Sequence, residues 1–266
     1  MKFNTLRFEE PEAGIGLITL NRPDRLNALN LDMVDELHTL FDQLRDREKM
    51  RVLIITGEGR GFCSGADIKD SRVRREASTL FSNAATHLVA IQKRYSERIL
   101  EMRRLPQPII AAVNGPAAGA GMCIALASDV ILATPRATFI ASFINIGLSG
   151  GELGTSYFLP RAVGRARAAE ILLTGRTVEA KEAGRIGLVS RLVEEDELRD
   201  AAMETARTML NKSPMGLRLT KEALNQNLDA PSLEAAIELE NRNQSMCCCT
   251  PEFMEAVVSF SDRGKK

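Results

Sequence analysis

Short buried strands alternate with long amphipathic helices along the first part of this chain, and no other feature constrains the fold as strongly. Residues 52–56 and 109–113 are apolar runs of strand length. Between them, apolar side chains recur at helical spacing at Leu88, Ile91, Tyr95, Ile99 and Met102. Consecutive strands that are separated by a helix pair in parallel through a right-handed crossover. The sequence therefore predicts an α/β fold built around a parallel sheet.

A hairpin and a capped helix precede this core. Residues 5–9 and 16–20 alternate in polarity and end at a turn signal around Pro23, so they predict two paired strands. Asn30 stands before apolar residues at helical spacing, with Asp32 in the first turn. Asparagine is a favoured N-cap, and the helix dipole favours an acid in the first turn. We expect an α-helix to begin directly after Asn30.

The pattern changes after about Arg161. From there the sequence is almost entirely helical, and residues 188–193 form the one strand-like interruption. A chain of 266 residues with 44% hydrophobic content suits one large α/β domain or a domain with an appendage. We therefore predict a core at residues 1–195 and a helical C-terminal region at residues 196–266.

Composition excludes several classes of function. Lys+Arg and Asp+Glu both number 35, and a formal net charge of +0 gives no footprint for nucleic acid or for anionic membranes. No apolar run reaches the roughly 18 residues that span a bilayer, and the first ten residues lack the apolar segment of a signal peptide. We expect a cytoplasmic protein with no nucleic-acid and no membrane partner.

Five cysteines give neither a disulfide framework nor the spacing of a zinc site. Three of them are consecutive, at Cys247, Cys248 and Cys249. Free cysteine is commonly a packing residue. We interpret all five as reduced thiols and predict no metal site.

Two glycine-rich turns follow neighbouring strands, at residues 59–69 and 114–121. Glycine lets backbone N–H groups point into a site without side-chain obstruction, and a helix that begins there adds partial positive charge. Either turn alone is an ordinary strand-to-helix connection. Together they could aim two N–H donors at one oxygen that gains negative charge during a reaction. Neither turn matches a phosphate loop or a dinucleotide fingerprint.

Five segments in order make a resemblance specific. The chain resembles the enoyl-CoA hydratase/isomerase (crotonase) family in the segments 21–29 (NRPDRLNAL), 65–69 (GADIK), 112–117 (AVNGPA), 172–175 (LLTG) and 183–189 (AGRIGLV). These segments cover nearly the whole chain. The resemblance implies a spiral of repeated ββα units followed by helices, and homotrimers that often pair into hexamers. It also implies an acyl-CoA thioester substrate, with coenzyme A as part of the substrate and no separate cofactor.

The resemblance also assigns residues to the site. The N–H groups of Ala66 and Ala120 would hold the thioester oxygen, although glycine is usual at the second position. The C-terminal helices, sometimes those of a neighbouring subunit, would help to cover the pocket. The residues expected to bind coenzyme A are Arg25, Leu26, Ala28, Ala66, Asp67, Ile68, Lys69 and Phe260. Lys69 could instead be an ordinary solvated lysine, and the basic residues Arg72, Arg74 and Arg75 are more typical of a solvated helix start.

Both glutamates that hydratases of this family use are replaced. Cys123 stands where the first belongs and Phe143 where the second belongs. A thiol does not substitute for a carboxylate that holds water, and phenylalanine exchanges no protons, so hydration by two carboxylates is disfavoured. We interpret Cys123 as an inert thiol, because the motif places no histidine beside it. Asp67 and Asp129 are interpreted as structural, with the backbone of Asp67 mattering more than its charge.

One carboxylate remains in the right neighbourhood. Glu152 matches, with a one-residue gap, the catalytic acid of the family's dienoyl-CoA isomerases. A single carboxylate can move a proton between two carbons of an enolate, provided that a dry pocket raises its pKa. The alternative role for Glu152 is to cap a helix that begins near Thr155. We expect double-bond isomerisation with Glu152 as the catalytic acid and base.

Two further readings stay open. The chain could be a catalytically silent acyl-CoA-binding protein, since both glutamates are lost, or it could hydrolyse or decarboxylate an acyl-CoA with the same donor pair. Residues 70–90 are expected to form the wall of the acyl pocket, because loops of such composition set substrate size in many enzymes. Phe143 in place of an acid favours an apolar acyl chain.

Overall fold

The computed structural model describes residues 3–72 and 84–263, without the side chains at 84, 85, 87 and 260–263. The strands are β1 (Leu6–Glu12), β2 (Ile15–Leu20), β3 (Val52–Gly57), β4 (Ile109–Val113), β5 (Ala117–Ala118), β6 (Val130–Ala133), β7 (Thr138–Ile140), β8 (Thr177–Glu179) and β9 (Arg191–Leu192). The helices are α1 (Leu31–Arg45), α2 (Ala84–Arg104), α3 (Ala120–Ala127), α4 (Thr155–Val163), α5 (Arg165–Thr174), α6 (Ala180–Arg185), α7 (Leu198–Leu210), α8 (Pro214–Gln226), α9 (Leu233–Cys248) and α10 (Pro251–Arg263). Strands and helices alternate in the α/β arrangement that the sequence predicts.

The main sheet has the strand order β1-β2-β3-β4-β6-β9. β1 and β2 form the predicted antiparallel hairpin, and every later neighbour in this sheet pairs in parallel. A smaller sheet with the order β5-β7-β8 stands beside the glycine-rich turn before α3. This smaller sheet is absent from our sequence prediction, because strands of two or three residues carry too little periodicity to recognise.

The central strands are buried on both faces. In β3, Leu53 and Ile55 pack into a cluster that includes α1, α2 and α3, whereas Val52 and Ile54 pack against α7 on the other face. Successive side chains of a strand point to opposite faces, so a strand that is covered on both sides must be apolar throughout. This explains why residues 52–56 form a continuous apolar run.

The predicted helix cap is present. The Asn30 side chain accepts a hydrogen bond from the Met33 N–H at 3.1 Å, and α1 begins at Leu31. The strand-like residues 188–193 contribute only the short β9. Within residues 3–72 and 84–263, none of the helices combines the length and the apolar character that crossing a bilayer requires.

A buried lysine joins the C-terminal helices to the core. Lys221 on α8 is 4% exposed, and its ammonium lies 2.9 Å from an Asp129 carboxylate oxygen. It also donates to the carbonyl oxygens of Met102 and Gln107. Asp129 accepts a second hydrogen bond from the Ile109 N–H, so its predicted structural role is confirmed.

Candidate active site

The first side of the site is a tight turn after β2. Leu26 and Asn27 have positive φ angles of 49° and 55°, a conformation in which asparagine is enriched. Asn27 is fully buried, and its amide nitrogen donates to the carbonyl oxygens of Glu58 and Gly61. These bonds fix the turn that carries Arg25, Leu26 and Ala28 against the loop after β3.

Ala66 lies beside this turn with its N–H directed away from it. The Leu29 N–H donates to Gly65 O, and the Asp67 N–H donates to Leu29 O, both at 2.8 Å. These two bonds form a parallel bridge between Leu29 and Ala66. In such a bridge, the neighbours of Ala66, namely Gly65 and Asp67, form the hydrogen bonds to Leu29. The N–H of Ala66 itself therefore points away from Leu29. Among the described residues it has no hydrogen-bond partner.

Ala120 supplies the second N–H. It is the first residue of α3, where N–H groups lack a partner within the helix, and the described residues provide no other partner. Gly65 brings the two loops together. A Cβ atom added to Gly65 would lie 3.0 Å from Ala118 O and 3.4 Å from Ala120 N. The structure therefore brings the predicted donors Ala66 and Ala120 to adjacent positions.

The two positions that hydratases fill with glutamate are apolar or uncharged. Cys123 is fully buried, and its thiol donates to Gly119 O at 3.2 Å. Burial, followed by the nearby Glu152 carboxylate, raises the pKa of Cys123 well above its usual value. The ring of Phe143 lies 3.5 Å from a Cβ atom added to Gly119. Cys123 is therefore a neutral thiol, as predicted. Both Cys123 and Phe143 lie close to Gly119, at the start of α3.

Glu152 lies on a loop between the end of β7 and α4. Its backbone is fixed by Thr155, whose hydroxyl accepts from the Glu152 N–H at 3.0 Å. The same hydroxyl lies 2.7 Å from Glu152 O and 3.0 Å from Gly150 O, so it donates to one of these carbonyls. The next residue, Leu153, has a positive φ of 47°. The loop is held in this unusual conformation by bonds that involve its own backbone.

The Glu152 carboxylate is half-buried and accepts no capping hydrogen bond from the start of α4. The N-cap of α4 is Gly154, and no side chain caps the helix, so the alternative role of Glu152 as a capping residue is wrong. One carboxylate oxygen accepts a hydrogen bond from the Gln92 amide on α2. Burial raises the pKa of Glu152. A carboxylate with a raised pKa is a stronger base than an ordinary one, so the chemistry that this group can perform is proton transfer.

The expected coenzyme A residues fall into three groups. Arg25, Ile68 and Lys69 are exposed, and Arg25 and Lys69 line a polar cavity of about 290 Å³. Leu26 and Ala28 belong to the turn after β2. Phe260 lies in α10, but its side chain is outside the described residues, as are Arg74, Arg75 and residues 73–83 of the predicted pocket wall.

Asp67 corrects one expectation. One oxygen of its carboxylate lies 2.9 Å from the Arg22 guanidinium, and the other accepts from the Lys69 N–H at 3.1 Å. The charge of Asp67 therefore matters as well as its backbone. Arg22 also donates to Ala28 O, so the pair ties the turn after β2 to the segment that carries Ala66.

Sequence reasoning missed Gln92 and Arg22. Gln92 is an exposed residue on a long helix, 60 positions before Glu152, and the sequence carries no signal for that contact. Arg22 lies inside a recognised motif, but only the fold reveals its partner. In the described part of the chain, no group of three or more His, Cys, Asp or Glu side chains could hold a metal ion.

Comparisons with known proteins give the relatives of this chain. The family model for enoyl-CoA hydratase/isomerase matches residues 10–266. A probable enoyl-CoA hydratase, echA12, of Mycobacterium bovis is 45% identical over 256 residues, which cover 96% of this chain and 89% of the relative.

Two solved structures have the same fold. A probable enoyl-CoA hydratase/isomerase from Mycobacterium abscessus has a TM-score of 0.89 and 38% identity, with coverage of 98% of this chain and 96% of that chain. A monofunctional enoyl CoA isomerase from M. smegmatis has a TM-score of 0.74 and 43% identity, with coverage of 88% and 98%. The crotonase fold predicted from the motifs is therefore confirmed, and the chain belongs to the enoyl-CoA hydratase/isomerase family of enzymes.

Proposed function

We propose that this protein is an enoyl-CoA isomerase that moves a double bond along the acyl chain of a CoA thioester. The observation that carries the proposal is the position of Glu152. It is a half-buried carboxylate whose pKa is raised by burial, and its charge adds to burial in raising the pKa of Cys123 on α3. The backbone of the same residue lies next to α3, with Glu152 O 3.7 Å from the Cys123 sulfur. Two backbone donors, Ala66 and Ala120, stand beside the same helix start.

The reaction needs one proton to leave and one to return. The ionised carboxylate of Glu152 takes a proton from C2 of a 3-enoyl-CoA, and the electron pair of that C–H bond passes into the thioester as an enolate. The N–H groups of Ala66 and Ala120 stabilise the negative oxygen. Glu152 then returns the proton to C4, which leaves the double bond between C2 and C3. No cofactor takes part, since coenzyme A enters with the substrate.

Hydration fits these residues less well. It needs one group to deprotonate water and a second to protonate carbon. Cys123 already donates its proton to Gly119 O, and its raised pKa keeps it neutral. Phe143 has no proton to exchange. The similarity to a monofunctional enoyl CoA isomerase supports the same preference, while the M. bovis relative carries a hydratase name.

The acyl chain is expected to be apolar. Phe143 lies beside Gly119 at the start of α3, and Leu88 on α2 is 60% exposed one turn before Gln92. An exposed leucine so close to the Glu152 contact is suited to cover part of an aliphatic chain. Coenzyme A would extend past Arg25, Leu26, Ala28, Asp67, Ile68 and Lys69, with Phe260 near the adenine.

We further propose a homotrimer or a hexamer in the cytoplasm. The C-terminal helices expose large apolar side chains, which a neighbouring subunit would cover, at Leu224, Leu233, Ile237, Met246 and Val258. A division of the chain near residue 195 accords with this role for the last helices. Light scattering of the purified protein gives the mass of the assembly and tests this part separately.

The deciding experiment is turnover on a panel of 2-enoyl-, 3-enoyl- and dienoyl-CoA esters, followed by absorbance and by mass. We expect migration of the double bond without a change in mass. Glu152→Gln keeps the size of the side chain and removes the base, so it should reduce the rate by about 10²–10⁴-fold. Glu195→Gln, a change at an exposed ion pair with Arg136, is the matched control and should be as active as wild type.

The other outcomes separate the alternatives. A gain of 18 mass units would mean hydration, and release of free thiol or of carbon dioxide would mean hydrolysis or decarboxylation. Tight binding of acyl-CoA with no turnover of any ester would mean a silent binding protein. Full activity of Glu152→Gln would refute Glu152 as the base.

A further inference from the structure

We propose that Gln92 is a positioning residue that orients the Glu152 carboxylate toward the substrate. This inference rests on the isomerase function proposed above. It assigns a role to α2, a helix that lies outside all the recognised motifs. In this role, α2 helps to position Glu152 relative to the N–H donors of Ala66 and Ala120.

The contact itself leaves one oxygen of Glu152 available. The Gln92 amide nitrogen donates to Oε1 of Glu152, and a primary amide nitrogen can only donate. Oε2 is therefore the oxygen that remains to take a proton from carbon. A glutamate side chain has three rotatable bonds, so a fixed donor at one oxygen restricts where the other can lie.

The same face of α2 also holds the donor side of the site. Tyr95, three residues after Gln92, is buried, and its hydroxyl donates to Leu29 O at 3.1 Å. Leu29 O is also the carbonyl that accepts from the Asp67 N–H and so orients Ala66. Residues three apart on a helix are neighbours on its surface. One turn of α2 thus contacts both Glu152 and Leu29, the residue whose backbone is bridged to Ala66.

A third residue on this face of α2 lies near the loop that carries Glu152. The Ile99 side chain lies 3.8 Å from a Cβ atom added to Gly154, two residues after Glu152. Ile99 is buried and lies seven residues after Gln92, on the same face of the helix. The loop therefore contacts α2 through the Glu152 side chain, and its backbone at Gly154 lies near the same helix.

Few titratable groups compete for this carboxylate. In the described ranges, the titratable side chain that interacts with Glu152 is the Cys123 thiol on α3, which is neutral because burial raises its pKa. Gln92 on α2 is the hydrogen-bond donor that contacts the carboxylate. Removal of Gln92 should therefore change the proton affinity of Glu152 directly.

The test is the pH dependence of kcat/KM for a 3-enoyl-CoA ester. In Gln92→Leu, loss of a donor to the ionised carboxylate should shift the acid limb upward by about one pH unit and lower kcat about tenfold. Gln92→Lys keeps a donor and adds a positive charge, so the acid limb should move to lower pH. KM and the thermal midpoint should stay near those of wild type. Gln43→Leu, at an exposed glutamine on α1, is the matched control.

Double variants separate this inference from the proposed function. In a Glu152→Gln background, Gln92→Leu should cause no further loss of the residual activity, because it acts through Glu152. An additional tenfold loss there, or an acid limb that stays at the wild-type pH in both Gln92 variants, overturns the role of Gln92. If Glu152→Gln alone retains full activity, the isomerase proposal fails instead.

Discussion

The two sides of the site are built in different ways. On the donor side, backbone hydrogen bonds and glycines fix the Ala66 and Ala120 segments, as at Gly65, where an added Cβ would lie 3.0 Å from a carbonyl oxygen. On the acid side, side chains fix Glu152, namely Thr155 and Gln92. On the donor side, a larger residue in place of glycine would displace the backbone. On the acid side, a substitution can remove a single side-chain contact and leave the backbone in place.

Among the changes that alter how the two sides are held, without removing the base itself, the largest expected effect is on the donor side. Gly65 has a φ of +101° and lies between the two donor loops. In Gly65→Ala, both the strain and the methyl group would displace the Ala66 or the Ala120 N–H from the position that we propose for the enolate oxygen. We expect kcat to fall by about 10²-fold or more. Steady-state kinetics on a 3-enoyl-CoA ester, with circular dichroism to verify folding, measures this loss.

Gly164→Ala is the control for strain alone. Gly164 has a similar φ of +80°, but an added Cβ meets nothing within 4 Å. Because its ψ is 154°, Gly164 lies in a region that is open almost only to glycine, so this change should cost about 1–3 kcal/mol of stability and leave kcat unchanged. If both alanine variants lose activity equally, the rigid character that we assign to the donor side is wrong.

A moderate effect is expected on the acid side. Thr155 is fully buried, and Thr155→Val removes the hydroxyl that binds the backbone of Glu152 and Gly150. The loss of these bonds should lower the free energy of unfolding by about 1–2 kcal/mol and reduce kcat several-fold. Thr155→Ser keeps the hydroxyl and should retain kcat. Equal kcat for the valine and wild-type proteins would show that the loop is held by other contacts.

The smallest effect concerns stability against pH. The pKa of Glu152 is raised on folding, so this group stabilises the folded state at pH values below its unfolded pKa, and that contribution is lost as the pH rises through the folded pKa. Glu152→Gln does not ionise. Its thermal midpoint should therefore exceed that of wild type slightly at pH 7, and the difference should shrink below about pH 4.5.

Since the carboxylate is half-exposed, solvent screens it and the shift will be small. Differential scanning calorimetry at several pH values, with Glu195→Gln for comparison, measures it. A wild type that is more stable than Glu152→Gln at pH 7 would mean that contacts to the ionised carboxylate, such as the Gln92 donor, outweigh the cost of its burial.

The same contrast explains what the sequence predicts well. The parallel strands, the Asn30 cap and the two glycine-rich turns depend on local patterns and on backbone requirements, and the structure contains them. The position of Glu152 near the site followed from its motif. The Gln92 contact and the Arg22–Asp67 pair join positions 60 and 45 residues apart, and no local pattern specifies which distant side chain will meet a given carboxylate.

The tight approach at Gly121 has a consequence for the history of such enzymes. A Cβ atom added to Gly121 would lie 2.1 Å from Cys63 O, so α3 can hold its start beside the Ala66 segment only with glycine there. Natural selection would remove most variants at such a position, whatever reaction the enzyme performs. Inherited donors would then persist while positions 123, 143 and 152 diverge. If the two donors bind an enolate as proposed, new reactions could arise by exchange of side chains around a backbone framework that stays the same.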